Sequence, residues 1–357
     1  PKIRRVLIVD LIPFTAKRSL RVWVESILGS VPGKNVTAHF QVHAGRSKVT
    51  EIAPGRYVYS TTRNLIQPGE PAAIWTEIAG IIKTAGFSNL MLWSYFPMFA
   101  LPFEKLDGVK VFDAVDDWRE HPYCKNWKDL LNKNYATIDR TADAVFTVSP
   151  QVKNIFRVNR NVQWQPNGID FDHFQKNGTA LRASLSGLKH PVIGYLGIIE
   201  SRLDFDLLEE ILKKFPDASL LLAGPVWDKE AIARLQRFPN FISFGPVAYA
   251  DLPELYHAFD VAIIPHRLTP FTKSMNPLKM YEYLACGLPV VTTPVSGTEK
   301  FSNLIKIAAT RQDFLTAVKD YLEHKPTAAE QEGRRAAVRG QTWASRLSEM
   351  LKYLPHD

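Results

Sequence analysis

Two apolar runs late in the chain, Val261–Ile264 and Leu288–Val291, place the tightest constraint on how it can fold. Both are short and rich in β-branched residues, as buried parallel strands are. Parallel neighbours are joined by a crossover, usually a helix. The intervening text supplies a polar loop, Pro265–Ser274, and then a helix opening near Asn276 and Pro277. Asn276 suits the N-cap and Pro277 the first helical position. Cys286–Gly287 closes the helix, since glycine takes the left-handed conformation of a C-cap. The unit is strand, loop, helix, strand. Its helix opens at the carboxyl end of a parallel strand, where open α/β sheets bind anions. Lys279 and Glu282 lie three apart and share a face. A cation suited to phosphate and a carboxylate suited to sugar hydroxyls thus ride on the first two turns.

The same alternation fills both halves of the chain. In the first, Arg5–Asp10, Val36–Val42, Arg56–Tyr59, Asn89–Trp93, Val109–Val115, Ala144–Val148 and Val162–Trp164 read as strands. Arg18–Leu28, Glu70–Thr84 and Trp127–Thr141 read as helices, and Ser149–Pro150 opens another. The first strand leads into LIPFTAKRS rather than G-x-G-x-x-G, which argues against a nicotinamide site there. In the second half, Val192–Gly197, Ser219–Ala223, Phe241–Phe244 and Leu304–Ile307 are further strands. Asp204–Phe215, Lys229–Phe238, Leu252–Phe259 and Gln312–His324 are helices, and Ala328–Leu354 forms one or two more. The polar stretch Phe171–Lys189 reads as a linker. The expected fold is α/β, with two doubly wound, Rossmann-like domains facing a cleft, where small ligands bind.

A length of 357 residues suits two domains. With 46% hydrophobic and 22% charged residues the chain has an ordinary globular composition, which excludes the disordered classes. No apolar run approaches the roughly 18 residues of a membrane span. The text enters a strand at once, so no signal peptide is read. Cys124 and Cys286 lie far apart and in no metal-ligand spacing, which fits a reduced, cytoplasmic setting. The net charge of +8 is uneven: residues 1–63 hold 11 basic and 3 acidic side chains. Such an excess suits a phosphate-bearing partner, such as an anionic membrane surface, a lipid diphosphate or nucleic acid, or it serves solubility alone.

Two stretches in the first half stand out. SYFPMFALPF (94–103) carries four aromatics and no charge; it is either buried packing or an apolar lip facing membrane or acceptor. Asp116 and Asp117 follow the strand Val109–Val115 as paired carboxylates in a basic half. Asp117 either caps the next segment or serves function.

PNGID (166–170), a strand ending in a glycine turn, LLLAGP (220–225), FGPV (244–247) and PLKMYEYLACGLPVV (277–291) come in an order that resembles the GT-B glycosyltransferases, in particular the family 4-type group. FDAVDDW (112–118) is similar to the branch containing teichuronic-acid-type transferases and, more remotely, xanthan glucuronosyltransferase. The resemblance implies an acceptor-binding domain over residues 1–188 and about 338–357. A nucleotide-sugar-binding domain would occupy 189–337, with a C-terminal helix around Trp343 and Arg346 crossing back. By the same resemblance Glu282 takes the ribose-binding role, Lys279 the diphosphate-binding role, and Asn276–Leu278 offer backbone N–H groups to phosphate. Gly197 and Ile198 lie in the turn near the diphosphate, and Val247 meets the base. Glu200, Arg202 and His266 are further donor-site candidates, each with a structural alternative. Many relatives carry two glutamates eight apart. Ser274 stands where the first would be, which leaves the sugar contacts and the stereochemical outcome open.

The expected function is transfer of a sugar from a nucleotide-diphosphate donor, a UDP-sugar for preference, to a glycan or lipid-linked acceptor in bacterial cell-surface polysaccharide synthesis. No cofactor and no metal are expected, since Lys279, the helix terminus and Arg202 can meet the leaving diphosphate. For an inverting reaction Asp117 is the candidate base, with Asp116 second; for a retaining one Asp117 positions the acceptor. The expected location is the cytoplasm, with the basic half against the inner face of the membrane. The competing readings are a non-hydrolysing nucleotide-sugar epimerase and a non-catalytic nucleotide-sugar-binding protein. Nucleic acid is not an expected partner, since no aromatic–basic reading motif is present.

Overall fold

A computed structural model describes residues 5–10, 37–41, 48–53, 56–60, 69–84, 90–95, 97–176 and 180–355. The helix expected over Arg18–Leu28 lies outside them. The chain divides into two compact units, Pro1–Pro166 with Arg346–Asp357, and Asn167–Ser345.

The first unit holds β1 (Arg5–Asp10), β2 (Thr37–Gln41), β5 (Leu90–Ser94), β6 (Gly108–Ala114), β7 (Ala144–Thr147) and β8 (Val162–Trp164). They form one sheet in the order β2-β1-β5-β6-β7-β8, every pair parallel. A separate antiparallel hairpin, β3 (Lys48–Ala53) and β4 (Arg56–Ser60), was half anticipated: only β4 was expected from the sequence. Its signal is Pro54–Gly55 between two alternating runs. Helix α1 (Lys128–Thr141) buries Leu131, Tyr135 and Ile138. The segment around 94–103 turns out to be packing: Tyr95, Met98, Phe99 and Phe103 are all buried, and Leu101–Lys105 is a short helix. The apolar-lip reading is therefore set aside. Near the C-terminus, Gln165 Nε2 donates to the Arg346 carbonyl and Asn161 Nδ2 to that of Tyr353. These bonds tie the last segment to the first unit.

The second unit holds β9 (Val192–Leu196), β10 (Ser219–Ala223), β11 (Phe241–Gly245), β12 (Val261–Ile264), β13 (Val290–Thr292) and β14 (Lys306–Ile307). Their order, β11-β10-β9-β12-β13-β14, is fully parallel and has the doubly wound pattern that reverses between its first and fourth strands, β9 and β12. Both faces are covered. Val192, Leu221, Ala223, Ala262 and Ile264 pack into one core, while the alternating Ile193, Tyr195, Leu220, Leu222, Val261 and Ile263 pack into another. Near-continuous apolar strands are what such two-sided burial requires.

The helices of this unit that matter below are α2 (Phe205–Lys214), α3 (Leu252–His257), α4 (Pro270–Ser274), α5 (Leu278–Ala285) and α6 (Ala328–Arg339). Asp204 caps α2 by accepting from Leu207 N–H. The loop expected over Pro265–Ser274 contains α4, which Thr269 and Thr272 close with a reciprocal capping box. The N-cap of α5 is Pro277 rather than Asn276, because the Asn276 side chain is engaged elsewhere. Its C-terminus is as expected: Gly287 has φ +77°, Gly287 N–H donates to Leu284 O and Leu288 N–H to Tyr283 O, the two bonds of a Schellman motif.

The linker expected over Phe171–Lys189 does not separate the units. The second unit already begins at Asn167, because Ile169, Phe171 and Phe174 are buried in its core. Among the described residues no helix is long and apolar enough to cross a membrane.

Gly224 has φ +131°, and a Cβ there would lie 2.0 Å from the Gly197 carbonyl oxygen. Gly333 sits mid-helix, with its nearest contact at 3.9 Å. Gly224→Ala should lower stability by on the order of 3 kcal/mol through strain and overpacking. Gly333→Ala should raise it by about 0.5–1 kcal/mol. Urea unfolding followed by tryptophan fluorescence checks both; equal midpoints for the two variants would contradict the packing described.

Candidate functional site

The carboxyl edge of the second sheet is built by one irregular segment, residues 197–204. On one side Gly197 N–H donates to Ala223 O and Ile199 N–H to Pro225 O. On the other, Asp204 N–H donates to Pro265 O, Arg267 N–H to Arg202 O, and Leu203 pairs antiparallel with His266. The segment is thus stitched between the ends of β10 and β12, over the point where the strand order reverses. In open α/β sheets this is where ligands bind.

The segment places Glu200 and Arg202 in ionic contact, with Glu200 buried and the Arg202 guanidinium 5.7 Å from the Phe271 ring centre. Beneath it, Lys279 reaches up from the first turn of α5. Its Nζ donates to the Tyr195 hydroxyl at 3.2 Å and lies 4.6 Å from that ring's centre. Gly197 makes room, since a Cβ there would sit 3.0 Å from Lys279 Nζ. Burial, then the nearby Arg202 charge, pulls the Lys279 ammonium down to about 7, against the opposing pull of Glu282 and Glu200. His266 is fully buried, and neither ring nitrogen has a partner. Burial, Lys279 and Arg202 together hold its pKa well below the ordinary value, so the ring is neutral and offers one donor and one acceptor. Arg202 Nε and Asn276 Nδ2 are also buried without partners. Unsatisfied buried polar atoms each cost roughly 1–3 kcal/mol, so four at one sheet edge point to a polar ligand.

Glu282 is half-buried, and Tyr256 on α3 donates to its Oε2 at 2.6 Å. Glu282 also raises the Tyr256 pKa, after burial itself, so the phenol keeps its proton and holds the carboxylate in one orientation. Tyr283, the next residue along α5, accepts from Leu196 N–H at 2.9 Å and docks the helix on the end of β9. Ser274 is buried at the end of α4, its hydroxyl donating to Phe271 O at 2.8 Å. Ile198 accepts from the Tyr195 hydroxyl at 3.3 Å. Leu278 begins α5, and Val247 lies half-buried just beyond β11. The second unit therefore brings Gly197, Ile198, Glu200, Arg202, His266, Asn276, Lys279 and Glu282 to one edge of its sheet. Tyr195, Tyr256 and Asn167 join them unanticipated. Tyr195 is the one polar group in the strand VIGYL, which is its only sequence signal.

Asp116 and Asp117 belong to the first unit, just past the end of β6. Asp117 is buried and gripped by Arg119, which donates to Oδ1 from Nε at 2.9 Å and to Oδ2 from a terminal nitrogen at 2.8 Å. Arg119 N–H also donates to Oδ1. The carbonyl of Asp116 accepts from Tyr135 at 3.1 Å. Asp113, buried on β6, is pushed up to about 7 by loss of hydration. Among the described residues no group of three His, Cys, Asp or Glu side chains is placed to hold a metal ion.

Two doubly wound units, the second with a polar cluster at its strand-order reversal, have the architecture of the GT-B fold. Comparisons with known proteins carry this further. Residues 205–352 match the family model described as Glycosyl transferase-like. A Bacillus subtilis protein, TuaH, provisionally described as a teichuronic acid biosynthesis glycosyltransferase, is 27% identical over 290 residues, 76% of this chain and 73% of that protein. Sucrose-phosphate synthase from Thermosynechococcus elongatus superimposes with a TM-score of 0.77 at 15% identity, covering 98% of each chain. Anabaena HepE in complex with UDP and glucose gives 0.72 at 15% identity, covering 97% of this chain and 98% of that one. The chain is a glycosyltransferase with the GT-B fold.

A diphosphate bound beside Lys279 would add negative charge there and restore the ammonium's proton. Diphosphate affinity should therefore fall as pH rises above about 7, and binding should take up a proton. Lys279→Arg, whose guanidinium stays charged, should flatten that dependence. Calorimetry in buffers of different ionisation enthalpy measures the uptake; none at pH 8 would refute the assignment.

Proposed function

We propose that this chain moves a sugar from a UDP-sugar to a glycan or lipid-linked acceptor in bacterial cell-surface polysaccharide synthesis. The observation that carries the donor half is the set of unpartnered buried polar atoms on Arg202, His266 and Asn276 beside Lys279, at the strand-order reversal of the second sheet. The similarity to TuaH supports the polysaccharide context, and the similarity to a fold that holds UDP and glucose supports the base.

On this reading Glu282, held by Tyr256, accepts from the ribose hydroxyls, as a carboxylate can from two donors at once. Lys279 and the N–H groups of Asn276 and Leu278 at the opening of α5 take the diphosphate and stabilise it as it leaves, without a metal. Gly197 and Ile198 line its approach, and Val247 meets the base. Arg202, Glu200, His266 and Ser274 take the sugar. Neutral His266 can donate to or accept from a hydroxyl, a function that Ser274, whose hydroxyl already serves Phe271, does not supply in place of a glutamate.

The first unit takes the acceptor. Arg119 engages both oxygens of the Asp117 carboxylate, which fixes its orientation and occupies the lone pairs a base would use. Asp117 is thus better suited to positioning the acceptor than to removing its proton, which favours retention of configuration. The basic excess of residues 1–63 suits an anionic membrane surface at the cytoplasmic face.

Purified protein incubated with UDP-sugars and a lipid-linked acceptor should release UDP and form product with EDTA present. Glu282→Ala should weaken donor binding by about 10–100-fold, the range of a lost charged hydrogen bond. Unchanged donor affinity in that variant would refute the ribose assignment. NMR of the product anomer tests retention.

A further inference from the structure

The segment Pro166–Asp170 has no part in the donor contacts above, yet it is tied directly to the helix that makes them. Asn167 N–H donates to Asn276 Oδ1 at 2.9 Å, and Asn167 Nδ2 donates to the Asn276 carbonyl at 2.6 Å. One bond fixes the Asn276 side chain and the other fixes its peptide. Asn276 is 6% exposed and immediately precedes Pro277, the N-cap of α5, which makes no side-chain capping bond. A backbone N–H can meet only an acceptor, so the bond from Asn167 determines which way the Asn276 amide is turned. Its Nδ2 is left buried without a partner. Gly297 lies against it so closely that a Cβ there would fall 2.2 Å from Nδ2.

The segment that holds Asn276 is itself rigid. Ile169 N–H donates to Gln341 O and Ile169 pairs with Thr342. A Cβ on Gly168 would meet Trp343 N at 2.8 Å. Asn167 therefore stands on a fixed strip of the second unit and grips the residue that opens α5.

We propose that Asn167 is a positioning residue for diphosphate binding, acting through Asn276. It holds the Asn276–Leu278 segment so that the amide Nδ2 of Asn276 and the opening N–H groups of α5 serve the anion. The clamp does for this helix what a side-chain cap does for others, while leaving its terminus open to a ligand. The inference rests on the nucleotide-sugar reading above.

The test compares a nucleoside diphosphate with its nucleoside on the full chain. The tightest of UDP, GDP and ADP for the wild-type protein is paired with uridine, guanosine or adenosine, and both affinities are measured by calorimetry. Asn167→Ala should weaken the diphosphate by about 10-fold, leave the nucleoside unchanged, and raise the donor KM more than it lowers kcat. Asn276→Asp keeps the acceptor for Asn167 N–H and removes the Nδ2 donor, so it should show the same selective loss. It carries the test if Asn167→Ala does not unfold cooperatively. Equal weakening of diphosphate and nucleoside, or no change in either, overturns the inference alone. A wild-type protein that binds no nucleoside diphosphate overturns the donor reading and this inference with it.

Discussion

The arrangement of the second unit depends on one close approach, the Lys279 ammonium lying between the Tyr195 ring and the backbone at Gly197. An ammonium is costly to bury, and here it has a phenol and a ring face for company rather than a matched carboxylate. That contact requires a residue without a side chain at the end of β9. It also requires a second at Gly224, because the turn carrying Gly197 presses its carbonyl against that position. Two glycines, a tyrosine and a lysine from three separate elements are thus mutually dependent. The penalty is a strained, under-satisfied sheet edge, which is the usual condition of a site that awaits an anion.

The same segment spans the strand-order reversal. Bonds from residues 197–204 run to the ends of β10 and β12, strands that leave β9 in opposite directions. The segment cannot be a regular strand, since it must serve two diverging neighbours. Its irregularity is what turns Glu200 and Arg202 to the same side as His266. In the first unit the corresponding carboxylate pair follows β6, and there Arg119 and Tyr135 satisfy the charge and the adjoining peptide internally. The carboxylate of Asp117 is thus matched within its own unit, whereas Arg202, His266 and Asn276 keep buried polar atoms unmatched.

Much of this was legible because it is local. The run from β12 through α5 to β13 announces itself by β-branched strands, a proline at the helix start and Gly287 at its end, and Lys279 and Glu282 fall on one face by spacing alone. What escaped depends on distant partners. Tyr256 lies 26 residues from Glu282, Tyr195 84 from Lys279 and Asn167 109 from Asn276, and no local pattern joins such pairs. The linker was misplaced for a related reason. Its polar text hides Phe171 and Phe174, and two aromatics in the core of the second unit outweigh the polarity around them. The N-cap of α5 shifted by one residue because a distant asparagine claimed the local one. The aromatic stretch after β5 left two readings open because aromatics in an uncharged run do not reveal whether a neighbouring helix covers them.

Lys279 and Glu282 ride on a single short helix, and this has a consequence of its own. Three residues of helix rise by about 4.5 Å, a separation that no side-chain rotamer needs to set. On the donor reading the helix acts as a ruler, comparing the spacing between sugar hydroxyls and phosphates in whatever enters. Ribose and diphosphate keep that spacing in every nucleoside diphosphate, so the ruler admits them all alike. Choice among bases must then be made off the helix, beyond β11 where Val247 lies, and donor preference could drift there without disturbing the groups that hold the leaving phosphate.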